Sequence, residues 1–370
     1  MKMRLLQITF LVLILNLPCL GQDKKIPEVQ PITHPAIITQ EFVYSLADAL
    51  TPECHASTVE VSNGTVTAAW FGGTKEKNKD VGIWVSRRLE DRWTTPVEVV
   101  NGVQEDGSRH PCWNPVLFKP AALSGAPNDG PLYLFYKVGP SPREWWGMYM
   151  TSMDDGSTWS GPVKLAEGIL GPIKNQPVQL ADGKILSPSS TESKTEGWKI
   201  HLESSTDLGK TWSKTEPLND AQIFGAIQPV ILNYGKGKLQ LLSRTQNDVI
   251  SQNWSNDNGK TWSEMTATSL PNPNSGIDGV SLNDGRQLLI YNPTKKNWGN
   301  RVPLSLAISV DGKNWKRVLD LEPLRESTDK DGEEYSYPTV IQAADDIVHL
   351  VYTWNRKTVK YITLNPEKLE

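Results

Sequence analysis

From about residue 36 to the end, short apolar runs bounded by turn residues recur, and no useful stretch keeps a helical period. Six segments share one order: a polar or Pro-bearing entry, a short apolar strand, a tight turn and a second apolar strand. They cover residues 54–70, 113–136, 174–187, 227–244, 276–291 and 335–352.

A second pattern phases these segments. Ser152-Met153-Asp154-Asp155-Gly156-Ser157-Thr158-Trp159 returns as Ser205-Thr206-Asp207-Leu208-Gly209-Lys210-Thr211-Trp212 and as Ser255-Asn256-Asp257-Asn258-Gly259-Lys260-Thr261-Trp262. A copy one residue shorter is Ser309-Val310-Asp311-Gly312-Lys313-Asn314-Trp315, and a worn copy runs from Ser86 to Trp93. The Asp carboxylate can accept from the turn's own backbone, the Gly can take a positive φ, and the Trp can anchor the returning strand. Trp159, Trp212, Trp262 and Trp315 stand 53, 50 and 53 residues apart, the spacing of an array of like units. Six hairpin-plus-return units predict an all-β fold, a six-bladed β-propeller of four-stranded antiparallel blades over residues 36–370. A strand near residues 37–44 is expected to complete the last blade. The connections at residues 119–131 and 322–332 read as surface loops.

Composition agrees: 14 Trp, 28 Gly and 26 Pro suit many short strands and turns. With a net charge of −4 and no basic run, nucleic acid is not an expected partner. Lys2 and Arg4, an apolar run from Leu5 to Leu15 and then Leu17-Pro18-Cys19-Leu20-Gly21 predict a secretory signal over residues 1–21. Residues 22–35 follow as an extended leader, and the protein is expected to be secreted or periplasmic. A lipid anchor on Cys19 is the second reading, which Pro18 fits poorly. The apolar run is too short to span a bilayer, and no second run of membrane length follows, so no transmembrane segment is expected. Cys54 and Cys112 are compatible with a bridge or with two buried thiols.

Innermost strands of a propeller start near the axis on one face, so residues at equivalent starts meet there. Counting back from the hairpin turns aligns His55, Lys174, Ala226, Gly276 and Tyr335, with His110 to Asn114 nearby in the second unit. The ends of the second strands bring Trp70, Lys137, Glu192, Arg244 and Asn292 to the same mouth, and Arg301 opens a third strand. Positive charge gathered at one spot of an acidic protein suggests an anionic ligand. Arginine forks suit a carboxylate, and His and Tyr suit proton transfer. The spacing of Cys54, His55, His110 and Cys112 fits no zinc pattern, and neither a phosphate loop nor a nucleophile elbow is present. No metal or cofactor is expected.

The repeated boxes resemble the Asp-box (BNR) repeats of the sialidase superfamily, which implies a six-bladed propeller over nearly the whole mature chain. Sialidases bind the substrate carboxylate with three arginines and use a Tyr–Glu nucleophile and an Asp acid/base. By that resemblance Tyr335 matches the tyrosine, Arg244 the second arginine and Arg301 the third. His55 stands where the first arginine belongs, Gln228 where the glutamate belongs, and Phe71-Gly72-Gly73 where the Asp is expected. Cys54-His55-Ala56-Ser57, His110-Pro111-Cys112-Trp113-Asn114-Pro115 and Ser336-Tyr337-Pro338 resemble more closely a sialidase-like subgroup. So do Gly171-Pro172-Ile173-Lys174-Asn175 and the run from Pro271 to Asp278. Relatives of that kind cut rhamnose–glucuronate and ulvan-type uronate linkages, some by elimination. The resemblance implies a carbohydrate-active enzyme that cleaves a glycosidic linkage at or next to an acidic sugar. His55 and Tyr335 are then the expected catalytic residues, and Arg244, Arg301, Lys174, His110, Asn114, Gln228 and Trp70 the expected substrate-binding residues. An exo-sialidase is the first alternative. A non-catalytic glycan-binding propeller with Trp70, Trp145 and Trp146 as stacking platforms is the second.

Overall fold

The computed structural model describes residues 31–122, 130–324 and 333–370. The expected signal, Cys19 and most of the expected leader lie outside the described residues, as do parts of the two long connections.

Six sheets form six antiparallel blades. Blade 1 comprises Glu53–Ser62, Thr65–Gly73, Gly82–Leu89 and an outer edge split between Arg92–Trp93 and Val97–Val100. Blade 2 comprises Cys112–Phe118, Leu132–Val138, Trp146–Ser152 and Val163–Lys164, and blade 3 Val178–Gln179, Ile185–Ser193, Gly197–Ser205 and Ser213–Lys214. Blade 4 comprises Ala226–Asn233, Leu239–Thr245, Val249–Ser255 and Thr266–Pro271, and blade 5 Asp278–Ser281, Gln287–Tyr291, Leu304–Ser309 and Lys316–Glu322. Blade 6 takes Tyr335–Gln342, Val348–Trp354 and Thr358–Leu364 from the chain's end, and its outer strand Ile37–Phe42 from the beginning. That strand closes the ring as expected.

A four-stranded blade is apolar on both faces and must bury each against a neighbour. The buried apolar residues accordingly fall into six clusters, one at each blade junction. Closure removes two exposed apolar faces at once, which is why the terminal strands belong to one blade.

The boxes show why their residue types recur. In the first, Ser152 Oγ accepts from Gly156 N at 2.8 Å, and Asp154 accepts from Thr158 N at 2.8 Å and Thr158 Oγ1 at 2.7 Å. Asp207, Asp257 and Asp311 repeat this wiring, with Asn314 standing in for Thr in the last. The turn puts two residues in succession at positive φ, as at Asp155 (56°) and Gly156 (82°). A Cβ on Gly156 would lie 3.0 Å from Thr67 of blade 1, so glycine is needed for space as well as for φ. Boxes also lean on the preceding blade: Tyr133 of blade 2 donates to Leu208 O at 2.7 Å, and Gln240 of blade 4 to Gly312 O at 2.9 Å. They are structural joints.

Cys54 and Cys112 are both buried free thiols. Among the described residues, no helix is long and apolar enough to cross a membrane, and no cluster of three His, Cys, Asp or Glu could hold a metal ion.

Candidate active site

Four innermost strands carry a two-residue irregularity near their start, at residues 56–57, 114–115, 228–229 and 337–338. The first residue of each pair is in the left-handed region: Ala56 (φ 52°), Asn114 (38°), Gln228 (53°) and Tyr337 (51°). In three of the four the next residue is Pro, which donates no ladder hydrogen bond and so fits a bulge. Such a bulge breaks the alternation of side chains and re-aims one of them. Left-handed backbone at three non-glycine residues ahead of Pro is strained, and strain of this kind clusters at functional sites.

The bulge sets which tyrosine faces His55, Gln228 and Arg244. Tyr335, the sequence-based candidate, is fully buried in the cluster between blades 5 and 6. Its ring centroid lies 6.0 Å from that of Trp354, and its hydroxyl donates to Glu333 at 3.3 Å. Tyr337 instead stands beside His55, with ring centroids 4.2 Å apart. Its phenolic oxygen accepts from Arg244 Nη1 at 2.7 Å and from Gln228 Nε2 at 3.5 Å. Gly276 makes room for the ring, since a Cβ there would lie 3.3 Å from it.

Arg244, from the end of blade 4's second strand, is 2 % exposed. Its Nε donates to Asn274 at 2.8 Å and its Nη1 to Gln228 at 3.1 Å as well as to Tyr337. Trp198 and Trp298 flank the guanidinium with ring centroids 5.7 and 5.6 Å away. Trp298 is 61 % exposed, so one face of the rim is an accessible indole. Among the described residues Arg244 has no carboxylate at ion-pair distance. Arg301 is different: its Nη1 pairs with Glu334 at 2.8 Å, and its Cζ lies 5.6 Å from the Tyr337 ring centroid.

Glu334 and Arg356 are the residues that sequence reasoning missed. Arg356 sits with Asn355 at positive φ in the tip of the last blade-6 hairpin. Its Nε pairs with Glu334 at 2.9 Å and its Nη1 with Glu76 at 2.7 Å, while Nη2 approaches His55 Nε2 at 3.5 Å. A guanidinium can only donate, which assigns the lone pair of a neutral His55 to Nε2, a nitrogen that also lies 3.9 Å from Glu334 Oε1. The ring proton is then on Nδ1, facing Thr353 Oγ1 at 3.2 Å. Burial, and then the charges of Arg356, Arg301 and Arg244, hold His55 well below the ordinary histidine value despite Glu334. It is uncharged at neutral pH. Burial would raise the Glu334 carboxyl, but the Arg301 and Arg356 guanidinium groups hold it well below the usual carboxylate range. Glu192, at the end of blade 3's second strand, is pushed up by burial against the pull of Arg244, Arg143 and Lys77.

The other expected residues are distributed differently. Gln228 is at the site. Asn114 is buried at the equivalent bulge of blade 2. Trp70 is not at the mouth: it is 2 % exposed, stacked on Tyr44 with centroids 5.1 Å apart in the junction of blades 6 and 1. His110 lies in a groove of about 970 Å³ between blades 1 and 2, edge-on to Trp146, and not among the axial residues. Trp145 packs edge-on to Trp113. Glu203, the partner of His201, accepts from Leu170 N and Gly171 N at 2.8 and 2.6 Å and so fixes that loop.

Lys174 is an axial pin. It is 3 % exposed, and its ammonium donates to Asn175, to Ile277 O and to Pro338 O, which uses all three hydrogens on protein groups of blades 3, 5 and 6. Asn175 in turn donates to Gln228 O and Pro229 O of blade 4. Asp278 is its buried counter-charge, and burial pulls the two toward neutrality while each holds the other charged. Lys174→Met is therefore expected to destabilise the fold by roughly 3–5 kcal/mol, the cost of stranding a buried partner. Urea unfolding reads this, and an unchanged midpoint would contradict it.

Comparison with known proteins agrees with the architecture. The BNR repeat-like domain matches residues 64–350. A sialidase of Bacteroides fragilis is 22 % identical over 262 residues, covering 62 % of this chain and 45 % of that protein. The chain thus spans less than half the length of this curated relative. Among solved structures, a Hadza microbial sialidase superimposes with a TM-score of 0.72 at 16 % identity, covering 90 % of this chain and 69 % of that one. A protein of unknown function from Dyadobacter fermentans gives 0.68 at 16 % identity, covering 89 % of this chain and 98 % of that one. The NanB sialidase of Streptococcus pneumoniae gives 0.66 at 12 % identity, covering 93 % and 72 %. Four wired boxes, six closed blades and a family match over most of the chain lead to one conclusion: the chain belongs to the BNR repeat-like domain family, as a six-bladed propeller of the sialidase superfamily.

Proposed function

We propose that this protein is an exported carbohydrate-active enzyme that cleaves a glycosidic linkage at or next to an acidic sugar, with Tyr337 and His55 moving protons. The observation that carries this reading is Arg244: a buried guanidinium without a carboxylate partner among the described residues, held against the Tyr337 hydroxyl. Burying an unpaired cation is costly, so an anionic ligand group is its natural complement. The exposed indole of Trp298 beside it offers a face for a sugar ring. The basic, then apolar, start of the chain supports export.

Elimination next to a uronate suits these residues. The Arg244 fork would take the carboxylate and stabilise the charge that develops on it as the adjacent C–H bond breaks. The Nε2 lone pair of His55 accepts that proton. The new C=C bond forms as the C–O bond to the leaving sugar breaks, and the Tyr337 hydroxyl gives its proton to the leaving oxygen. Sialidase-type hydrolysis is the alternative favoured by the superfamily. Against it, the phenol oxygen of Tyr337 meets Arg244 and Gln228, and among the described residues no carboxylate lies at hydrogen-bond distance from it.

Incubation with a rhamnose–glucuronate oligosaccharide and with a sialoside separates these outcomes. New absorbance of an unsaturated uronate supports elimination, free sialic acid supports the hydrolase, and saturable binding without product overturns both.

The pH profile is a second check. A neutral His55 is needed as base, so kcat/KM falls as pH drops through its pKa, and burial and the arginines place that limb below the ordinary histidine value of about 6.5. Arg356→Gln removes the largest of those charges and should move the limb upward. A limb that does not respond to Arg356→Gln would exclude His55 as the titrating base.

A further inference from the structure

Glu76 belongs to the loop of residues 74–80, which links the second and third strands of blade 1 at the rim of the site. The loop is closed on itself, because Asp80 accepts from both the amide and the hydroxyl of Thr74. Its tip reaches outward instead: Glu76 Oε2 pairs with Arg356 Nη1 at 2.7 Å across the junction of blades 1 and 6. Arg356 thus binds two carboxylates of unequal standing. Glu334 is also held by Arg301 and by Ser336 Oγ at 2.7 Å, three contacts that fix it in place. Among the described residues the Glu76 carboxylate pairs with Arg356 alone, and the side chains of that pair are 32 % and 24 % exposed. The ionisable groups facing Arg356 are Glu334, Glu76 and, at Nη2, His55.

We infer that Glu76 is a built-in surrogate for a ligand carboxylate, held on Arg356 and displaced when an anionic sugar enters. This inference rests on the proposed recognition of an acidic glycan. The magnitudes favour exchange: a partly exposed pair of this kind, its side chains about a quarter to a third exposed, contributes on the order of 1 kcal/mol, whereas a buried charge-assisted contact is worth several-fold more. Arg356 would then supply, from the tip of blade 6 beside His55, a second guanidinium for the ligand, while Arg301 stays committed to Glu334. The loop carrying Glu76 would open as the anion binds, so occupancy of the site and mobility of residues 74–80 are coupled through one ion pair.

The test uses the whole protein, sodium glucuronate as probe and methyl glucoside as the neutral control, with calorimetric titration and hydrogen exchange of residues 74–80. Glu76→Gln should bind glucuronate about two- to fivefold more tightly, the gain expected from removing a competing pair of that strength. Arg356→Gln should bind it more weakly, and both variants should raise exchange in the loop without any ligand. The parent protein should show the same rise only when glucuronate is added. Unchanged or weaker binding by Glu76→Gln, or loop exchange that ignores both substitutions, overturns the inference even if the enzyme turns over acidic oligosaccharides. Glucuronate binding that is absent from every variant, or equal to that of methyl glucoside, overturns the acidic-glycan reading and this inference with it.

Discussion

Tyr337→Phe should lower kcat/KM on an acidic glycan by about two to four orders of magnitude, the range for loss of a positioned proton-transfer group. Its melting temperature should barely move. Tyr335→Phe should do the reverse. The phenol oxygen of Tyr337 faces Arg244 and Gln228, and its ring lies against His55, so removing the oxygen takes away chemistry and leaves the packing. The Tyr335 ring fills the junction of blades 5 and 6, and its hydroxyl donates to Glu333. Loss of that hydrogen bond costs about 1 kcal/mol of stability and nothing at the pocket. Activity on the oligosaccharide and thermal melts of both variants decide between the two tyrosines. If Tyr335→Phe is the inactive one, the site is assembled from the other face of the strand.

The repeat period and the turn chemistry are local in sequence, and they carried the fold. Each box is wired within a span of eight residues, and its Trp spacing set the blade count before any contact was known. The site was legible only as far as the strand stayed regular. Tyr335 and Tyr337 should share a face by alternation, and only the left-handed backbone at Tyr337 separates them. The same bulge brings Gln228 to the site, so the signal available in sequence was the residue before Pro in Asn114-Pro115, Gln228-Pro229 and Tyr337-Pro338, shared by three blades. Arg356 and Glu334 carry no such mark. A hairpin-tip arginine reads as a surface charge until its partner from another blade is known. Lys174 was legible as axial but not as saturated, because its acceptors are backbone carbonyls that no side-chain pattern announces. Trp70 shows the remaining limit: a strand end near the mouth does not tell which face its side chain takes, and here the interior took it.

Arg244→Met should separate function from stability in sign. Binding of glucuronate or of an acidic oligosaccharide should weaken by about two to three orders of magnitude, equivalent to 3–4 kcal/mol for a buried charge-assisted contact. Unfolding by urea should shift little, or toward greater stability. A structural arginine would show the opposite. The guanidinium is 2 % exposed, and its hydrogen-bond acceptors among the described residues, Asn274, Gln228 and Tyr337, carry no formal charge. Such a cation carries a desolvation penalty of several kcal/mol that no carboxylate at ion-pair distance among the described residues offsets, and replacing it with a residue of similar volume removes that penalty. The acceptors left behind lose a donor, at about 1–3 kcal/mol for each that stays buried and unsatisfied, so the two effects are of the same order and opposite sign. Arg244→Lys keeps the charge and loses the fork, and should fall between the parent and Arg244→Met in affinity. A loss of stability by Arg244→Met as large as that expected for Lys174→Met would make Arg244 a second axial pin, and the anion-binding role would then pass to Arg356 alone.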